Sequence, residues 1–291
     1  MERIAESELI LNLDGSIYHL KLKPENIADD IIVVGDPGRV PVISAYFDKI
    51  EFKQSNREIV THTGYIGKKR LTVMSTGMGT DNLDIVINEL DAVVNIDLAN
   101  RTPKKEHKAL NIIRLGTSGA MQEDIPVGSY VMSSHGIGLD GMMWYYAAGK
   151  EAIDADLTEA FLNQTNWPND LPKAYIVAGS ESLFEKMGKG YLKGMTATAP
   201  GFFGPQGRVL RLNLAYSDLN DRISNFKYKG YRITNFEMET SALYGLSKAL
   251  GHNAMTVCAI IANRLRKEYA KDYKPSVTAL IEDLLGKLAS S

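Results

Sequence analysis

Ile31-Ile32-Val33-Val34-Gly35-Asp36-Pro37-Gly38-Arg39 runs a β-branched segment directly into a glycine-bounded turn with a cation just beyond it. Four such residues in a row are stiff at χ1 and suit a strand buried on both faces, and Gly-Asp-Pro-Gly ends that strand in a tight turn. Residues 40–47 then read as a helix. The pattern recurs. Residues 71–75 form a short apolar strand ended by Gly77-Met78-Gly79, after which Leu83, Val86, Ile87 and Leu90 return at helical spacing. Residues 112–115 form a third strand, ended by a turn at Gly116-Thr117-Ser118-Gly119. Residues 129–133, 174–178 and 256–262 read as further strands. A helix is expected over 234–250, with Met238, Ala242, Leu246 and Leu250 on one stripe and Gly251 as its stop, and 276–288 close the chain as an amphipathic helix. Strands alternating with helices predict an α/β fold, a central mixed β-sheet flanked by helices. No repeat or linker divides residues 1–291, so a single domain is expected, with the lysine-rich stretch 101–108 as a solvated loop.

Composition narrows the function. A chain of 291 residues with 44% apolar content can bury one large core. Its formal charge of -2 offers no basic field for a nucleic-acid backbone. The single cysteine, Cys258, excludes an intramolecular disulfide framework and sits in an apolar run, as packed core does; a reducing compartment is expected. The first residues lack the apolar stretch of a signal peptide, and no segment reaches membrane-spanning length, so a cytoplasmic location is expected. The five histidines, His19, His62, His107, His135 and His252, are scattered without ligand spacing, and no metal is expected.

Glycine turns at strand ends expose backbone N–H groups that can cradle an anion. Gly35 to Gly38 and Gly116 to Gly119 both qualify, and each has an arginine beside it, Arg39 after the first and Arg114 before the second. A guanidinium fork matches a phosphate edge, and Thr117 adds a hydroxyl. Either turn alone is adequately explained as a chain reversal. Arg114 argues for more, because it interrupts an apolar strand where charge is costly unless paired. Neither turn ends in the Gly-Lys-Ser/Thr of a nucleotide-triphosphate loop, so free phosphate is favoured.

Glu237-Met238-Glu239 opens the predicted 234–250 helix, where adjacent residues diverge, so at most one carboxylate is expected to face the core and hold a sugar diol. The plain alternative is negative charge decorating a helix N-terminus. Phe202-Phe203-Gly204-Pro205-Gln206-Gly207-Arg208 offers an aromatic face, an amide donor and acceptor, and a fixed cationic fork, which together suit a planar ring with two carbonyls. Breaking a glycosidic bond to such a ring drives negative charge onto its oxygens, and a cation there acts chiefly in the transition state. A rival reading comes from Gly136-Ile137-Gly138-Leu139-Asp140-Gly141, a G-x-G-x-x-G run after a predicted strand, which would imply a dinucleotide. The short Met142 to Tyr146 segment leaves no proper helix to receive the pyrophosphate.

Taken together, Gly35-Asp36-Pro37-Gly38-Arg39-Val40, Ser75-Thr76-Gly77-Met78-Gly79, Arg114-Leu115-Gly116-Thr117-Ser118-Gly119 and Phe236-Glu237-Met238-Glu239 resemble the bacterial nucleoside phosphorylases. Gln206-Gly207-Arg208 and Ile261-Ala262-Asn263-Arg264 are similar to the uridine phosphorylase branch. The resemblance runs from about residue 18 to residue 264. It implies uridine plus phosphate giving uracil plus ribose 1-phosphate, reversibly, with no cofactor beyond the phosphate co-substrate. It implies that Gly35, Arg39, Arg57, Arg114 and Thr117 bind phosphate. His19, Thr117, Phe202, Gln206, Arg208, Glu237, Met238 and Glu239 would bind the nucleoside, with Arg208, Gln206, Arg114 and Glu239 carrying the catalysis. It implies a dimer or hexamer in which His19 and Arg57 complete a neighbour's site. The purine branch carries an aspartate near Asn263 that protonates the departing base, and its absence here points to pyrimidine. A purine nucleoside phosphorylase or a water-using nucleosidase on the same fold is the alternative.

Overall fold

The computed structural model describes residues 3–290; Met1, Glu2 and Ser291 lie outside them. The chain begins β1 (Asp30–Val34), α1 (Arg39–Ser44), β2 (Lys49–Asn56), β3 (Ile59–Ile66), β4 (Lys69–Ser75) and α2 (Thr80–Asn95). A two-strand hairpin, β5 (Ile96–Asp97) and β6 (Thr102–Pro103), precedes β7 (Asn111–Ala120) and β8 (Tyr130–Gly138). Next come α3 (Gly149–Ala152), α4 (Ala155–Gln164), β9 (Tyr175–Ala178), α5 (Glu181–Met187) and β10 (Leu192–Thr198). The last part holds α6 (Leu219–Ser224), β11 (Lys227–Tyr228), β12 (Tyr231–Glu237), α7 (Thr240–Ala249), β13 (Asn253–Asn263), β14 (Glu268–Tyr269) and α8 (Lys274–Ala289).

One mixed sheet runs β11-β12-β10-β8-β13-β7-β1-β4-β3-β2, with β9 on β8 and β14 on β13. Its centre is parallel across β4, β1, β7 and β13, and β13 meets β8 antiparallel. β12 pairs with β10 and also, antiparallel, with β7 through Asn235–Ala120 and Phe236–Gly119. That second pairing closes β7, β13, β8, β10 and β12 into a ring. The β-branched run of β1 is buried on both faces, as parallel central strands are. Ile31 and Val33 pack into the cluster built on α2 and α7, while Ile32 and Val34 pack into the one built on α1 and α8. Among the described residues no helix is long and apolar enough to cross a membrane.

Three expectations need correcting. The glycines at 116–119 do not make a turn: β7 runs through them, paired to β13 from Gly116–Cys258 to Gly119–Ala262. A glycine-rich stretch flanked by partners on both sides stays extended because the ladder satisfies its backbone. Residues 234–237 are strand rather than helix, and α7 starts only at Thr240. The Glu237 carboxylate sets that start, accepting from the N–H groups of Glu239 and Thr240 at 2.9 to 3.1 Å. The strand predicted over 129–133 extends to Gly138, so the G-x-G-x-x-G run lies inside β8. There a Cβ on Gly136 would sit 2.7 Å from Ser241 Cα, and one on Gly138 2.2 Å from the Tyr175 ring. These glycines serve close packing, which removes the dinucleotide reading. The 101–108 stretch is exposed over most of its length, although its start is tied down by β5–β6 and by Lys104 Nζ donating to Val94 O at 2.8 Å.

Candidate active site

The carboxyl ends of β1, β4, β10 and β12 open on a cavity of about 1000 Å³, the place where open α/β sheets gather ligands. Gly35, Arg39, Arg114, Thr117, Phe202, Gln206, Arg208, Glu237, Met238 and Glu239 all line it. The residues read from separate stretches of sequence therefore share one chamber. His19 and Arg57 do not border it. His19 Nδ1 is 2.6 Å from Glu89 Oε1, and Arg57, at the β2–β3 turn, lies over the Tyr18 ring at 5.8 Å.

Arg114 is the centre of the buried charge. Its side chain curls back over Gly116, where an added Cβ would sit 2.2 Å from Nη1. Nη2 donates to Glu239 Oε2, and Nη1 lies 3.2 Å from Glu237 Oε2 and 3.4 Å from Cys258 Sγ. Both carboxylates are buried, each residue 4% exposed, against the expectation that only one turns inward. The bend between β12 and α7 is what allows it. Burial opposes the charge of Arg114, but Glu239 and Glu237 more than reverse this and hold its pKa above the ordinary arginine value. Burial pushes Glu237 upward against the pull of Arg114. The oxygens of Glu237 are also occupied by Thr198 Oγ1 at 2.6 Å and by the backbone of α7, so Glu237 holds the local structure. Glu239, whose Oε1 accepts from Gly79 N at 2.9 Å, is the carboxylate better placed for a ligand hydroxyl.

Cations crowd the cavity. Arg39 donates to Leu115 O at 3.2 Å, and burial followed by the nearness of Arg114 lowers its pKa. Arg208 stacks on Phe202 at 3.6 Å and donates to Gln206 Oε1 at 2.7 Å. Arg264 reaches the same oxygen at 3.1 Å and also donates to Gln206 O. Burial and then Arg208 lower the Arg264 pKa to about 10. Sequence reasoning gave Arg264 no role, though it is a cation closing an apolar strand, the same signal that marked Arg114.

Asn263 holds the strand end in place. Its amide donates to Gln122 O and Ile125 O at 2.9 and 2.8 Å, and its carbonyl accepts from Arg266 N at 3.0 Å. Elsewhere, Asp91, His107 and His252, scattered in sequence, come together. Leu110 N–H donates to His252 Nδ1 at 3.1 Å, which puts the ring proton on Nε2, facing Asp91. That nitrogen has no lone pair to give a cation.

The sequence profile of the phosphorylase superfamily matches residues 29–287. The chain belongs to the phosphorylase superfamily. Among curated members of the superfamily, a uridine phosphorylase of Thermococcus kodakarensis is 30% identical over 93% of this chain and 86% of its own. A DeoD-type purine nucleoside phosphorylase of Bacillus cereus is 28% identical over 83% of this chain and 85% of its own. Among solved structures, a Trypanosoma brucei nucleoside phosphorylase that shows uridine phosphorylase activity superposes with a TM-score of 0.88 at 32% identity, over 98% of this chain and all of that one. A Phytophthora capsici uridine phosphorylase, at 21% identity and TM-score 0.70, shares the fold. The superfamily fold is thus a mixed sheet flanked by helices, as the alternating elements predict.

Proposed function

We propose that this member of the superfamily is a uridine phosphorylase, a pentosyltransferase converting uridine and phosphate to uracil and ribose 1-phosphate and back. One observation carries the reading: a single cavity holds four arginines in two neighbouring pairs, Arg39 beside the buried, carboxylate-bound Arg114 and Arg208 beside Arg264. Arg39, Arg208 and Arg264 are partly buried without the tight carboxylate partners of Arg114, which is costly until anions arrive. The first pair suits inorganic phosphate, helped by Gly35 and Thr117. The second suits the uracil anion that forms as the glycosidic bond breaks, with Gln206 on the ring edge and Phe202 beside it.

Phosphate then attacks the anomeric carbon as uracil departs on the opposite face, through an oxocarbenium-like state. Met238 and Glu239 fix the ribose, and positioning together with electrostatic stabilisation supplies the rate. No protein nucleophile, metal or cofactor is needed. The purine alternative is disfavoured by Asn263, whose amide hydrogens are both engaged and which has no acidic proton to hand to a departing base. His19 and Arg57, outside this cavity, are assigned to a neighbour's site in a dimer or hexamer, and the enzyme to the cytoplasm.

The test follows uridine absorbance with and without phosphate, beside inosine, thymidine and deoxyuridine. Phosphate-dependent loss of uridine but not of inosine is expected. Phosphate-independent hydrolysis, or preference for inosine, would replace this reading by one of its alternatives.

A further inference from the structure

Behind Arg114 lies a file of buried polar groups that crosses the closed ring of strands. Ser133 on β8, Thr196 on β10, Asn235 on β12, Ser118 on β7 and Cys258 on β13 give one member from each strand of that ring. Thr196 Oγ1 donates to Asn235 Oδ1 at 2.9 Å, which leaves Ser133 to donate to Thr196 at 2.6 Å. Asn235 Nδ2 donates to Ser118 Oγ at 2.9 Å, and Ser118 lies on β7 two residues beyond Gly116, the register partner of Cys258. Every donor from Ser133 to Asn235 therefore points toward Ser118, on the strand that carries Arg114, while the Cys258 sulfur accepts from Arg114 Nη1 at 3.4 Å.

The need for such a hold is visible at Arg114 itself. Its Nε is buried without a hydrogen-bond partner, so the orientation of the fork rests on contacts at Nη1 and Nη2. Two of these come from carboxylates at the β12–α7 bend; Cys258 supplies the contact from β13. Burial raises the Cys258 pKa to about 11, so at neutral pH it stays a thiol and accepts without adding a charge. Buried networks whose members are all satisfied hold one arrangement.

We infer that Asn235 and Cys258, neither of which lines the cavity, are positioning residues for Arg114, Cys258 by direct contact and Asn235 by fixing Ser118 on the strand that carries it, so that the guanidinium is aimed at the incoming phosphate. The inference rests on the phosphorolysis reading above.

The full chain and its C258A, C258S, N235A and C258A/N235A variants would be assayed for phosphate KM and uridine KM separately, with inorganic phosphate binding followed by calorimetry. C258A and N235A are each expected to weaken phosphate roughly fivefold, and C258S to stay within about twofold of the unmodified protein, since a hydroxyl can still accept from a charged donor. The double variant should lose less than the product of the two single losses, because both loosen the support of the same guanidinium. Unchanged phosphate affinity in C258A, or equal loss in C258A and C258S, would overturn the inference. Should N235A fail to fold, the two Cys258 variants decide alone. Failure of the unmodified chain to consume uridine would count against the proposed function, and the calorimetric comparison would still decide whether the file aims Arg114.

Discussion

Arg264 clamps Gln206 at two points, donating to the backbone carbonyl and to the side-chain oxygen. With Arg208 on that same side-chain oxygen, the Gln206 carbonyl is fully engaged and its amide hydrogens are left for a ligand. The clamp carries a cost, since two guanidiniums share a partly dehydrated space.

Replacing Arg264 with methionine should separate that cost from its use. The shape is kept and the charge is lost, so thermal stability is expected to rise while kcat/KM for uridine falls by about tenfold or more. A melting curve and steady-state kinetics on the same preparation check both. A fall in both quantities would mean that the clamp supports the fold and not only the substrate.

The lowered Arg264 pKa of about 10 has a pH signature. Between that value and the ordinary arginine value the unfolded chain binds more protons than the folded one, so this group's contribution to stability rises with pH across the window. Its catalytic contribution runs the other way, lost as pH climbs through about 10. An alkaline limb in kcat/KM that disappears in Arg264→Met is expected; an identical limb in both proteins would assign it elsewhere.

Arg208→Ala should lower kcat by about 10² to 10³, in the range for removing one group that stabilises developing charge. Its effect on phosphate KM should be small, because Arg208 belongs to the other cation pair. Single-turnover measurements at saturating phosphate would show it, and an unchanged kcat would contradict the assignment.

Glu237→Gln should destabilise the fold by about 3 to 5 kcal/mol, the usual consequence of breaking a buried ion pair from one side. Denaturant unfolding measures this. Loss of activity with full stability would instead make Glu237 a direct ligand of the sugar.

Gly116→Ala places a methyl where the Arg114 fork now lies. We expect a loss of about 10² in kcat/KM for phosphate from misplacement of that one group. Normal kinetics would mean that Arg114 has a second productive position.

Much of this was legible in the chain. The run Ile31 to Val34 has only one comfortable fate, and the Gly35 turn with Arg39 led directly to the cavity. Arg114 announced itself as a charge in an apolar strand. What misled was local ambiguity: the glycines at 116–119 look the same whether they turn or remain paired, and only the neighbouring strands β13 and β12 decide. Likewise 234–237 continue the apolar stripe of the helix that follows, and the break at Glu237 depends on its carboxylate being claimed by Arg114, over a hundred positions away. Arg264 was passed over because its partner, Gln206, is remote in sequence.

The pairing of β12 with β7 also has a consequence for how the enzyme is made. Asn235 and Ser118 are 117 positions apart, and Arg114 meets Cys258 across 144. Contacts at such separation form slowly and late. A ribosome must therefore release nearly the whole polypeptide before Arg114 finds its counter-charges, and a truncated translation product ending before β12 would expose a stranded cation in a half-built sheet, a natural target for chaperones and proteolysis.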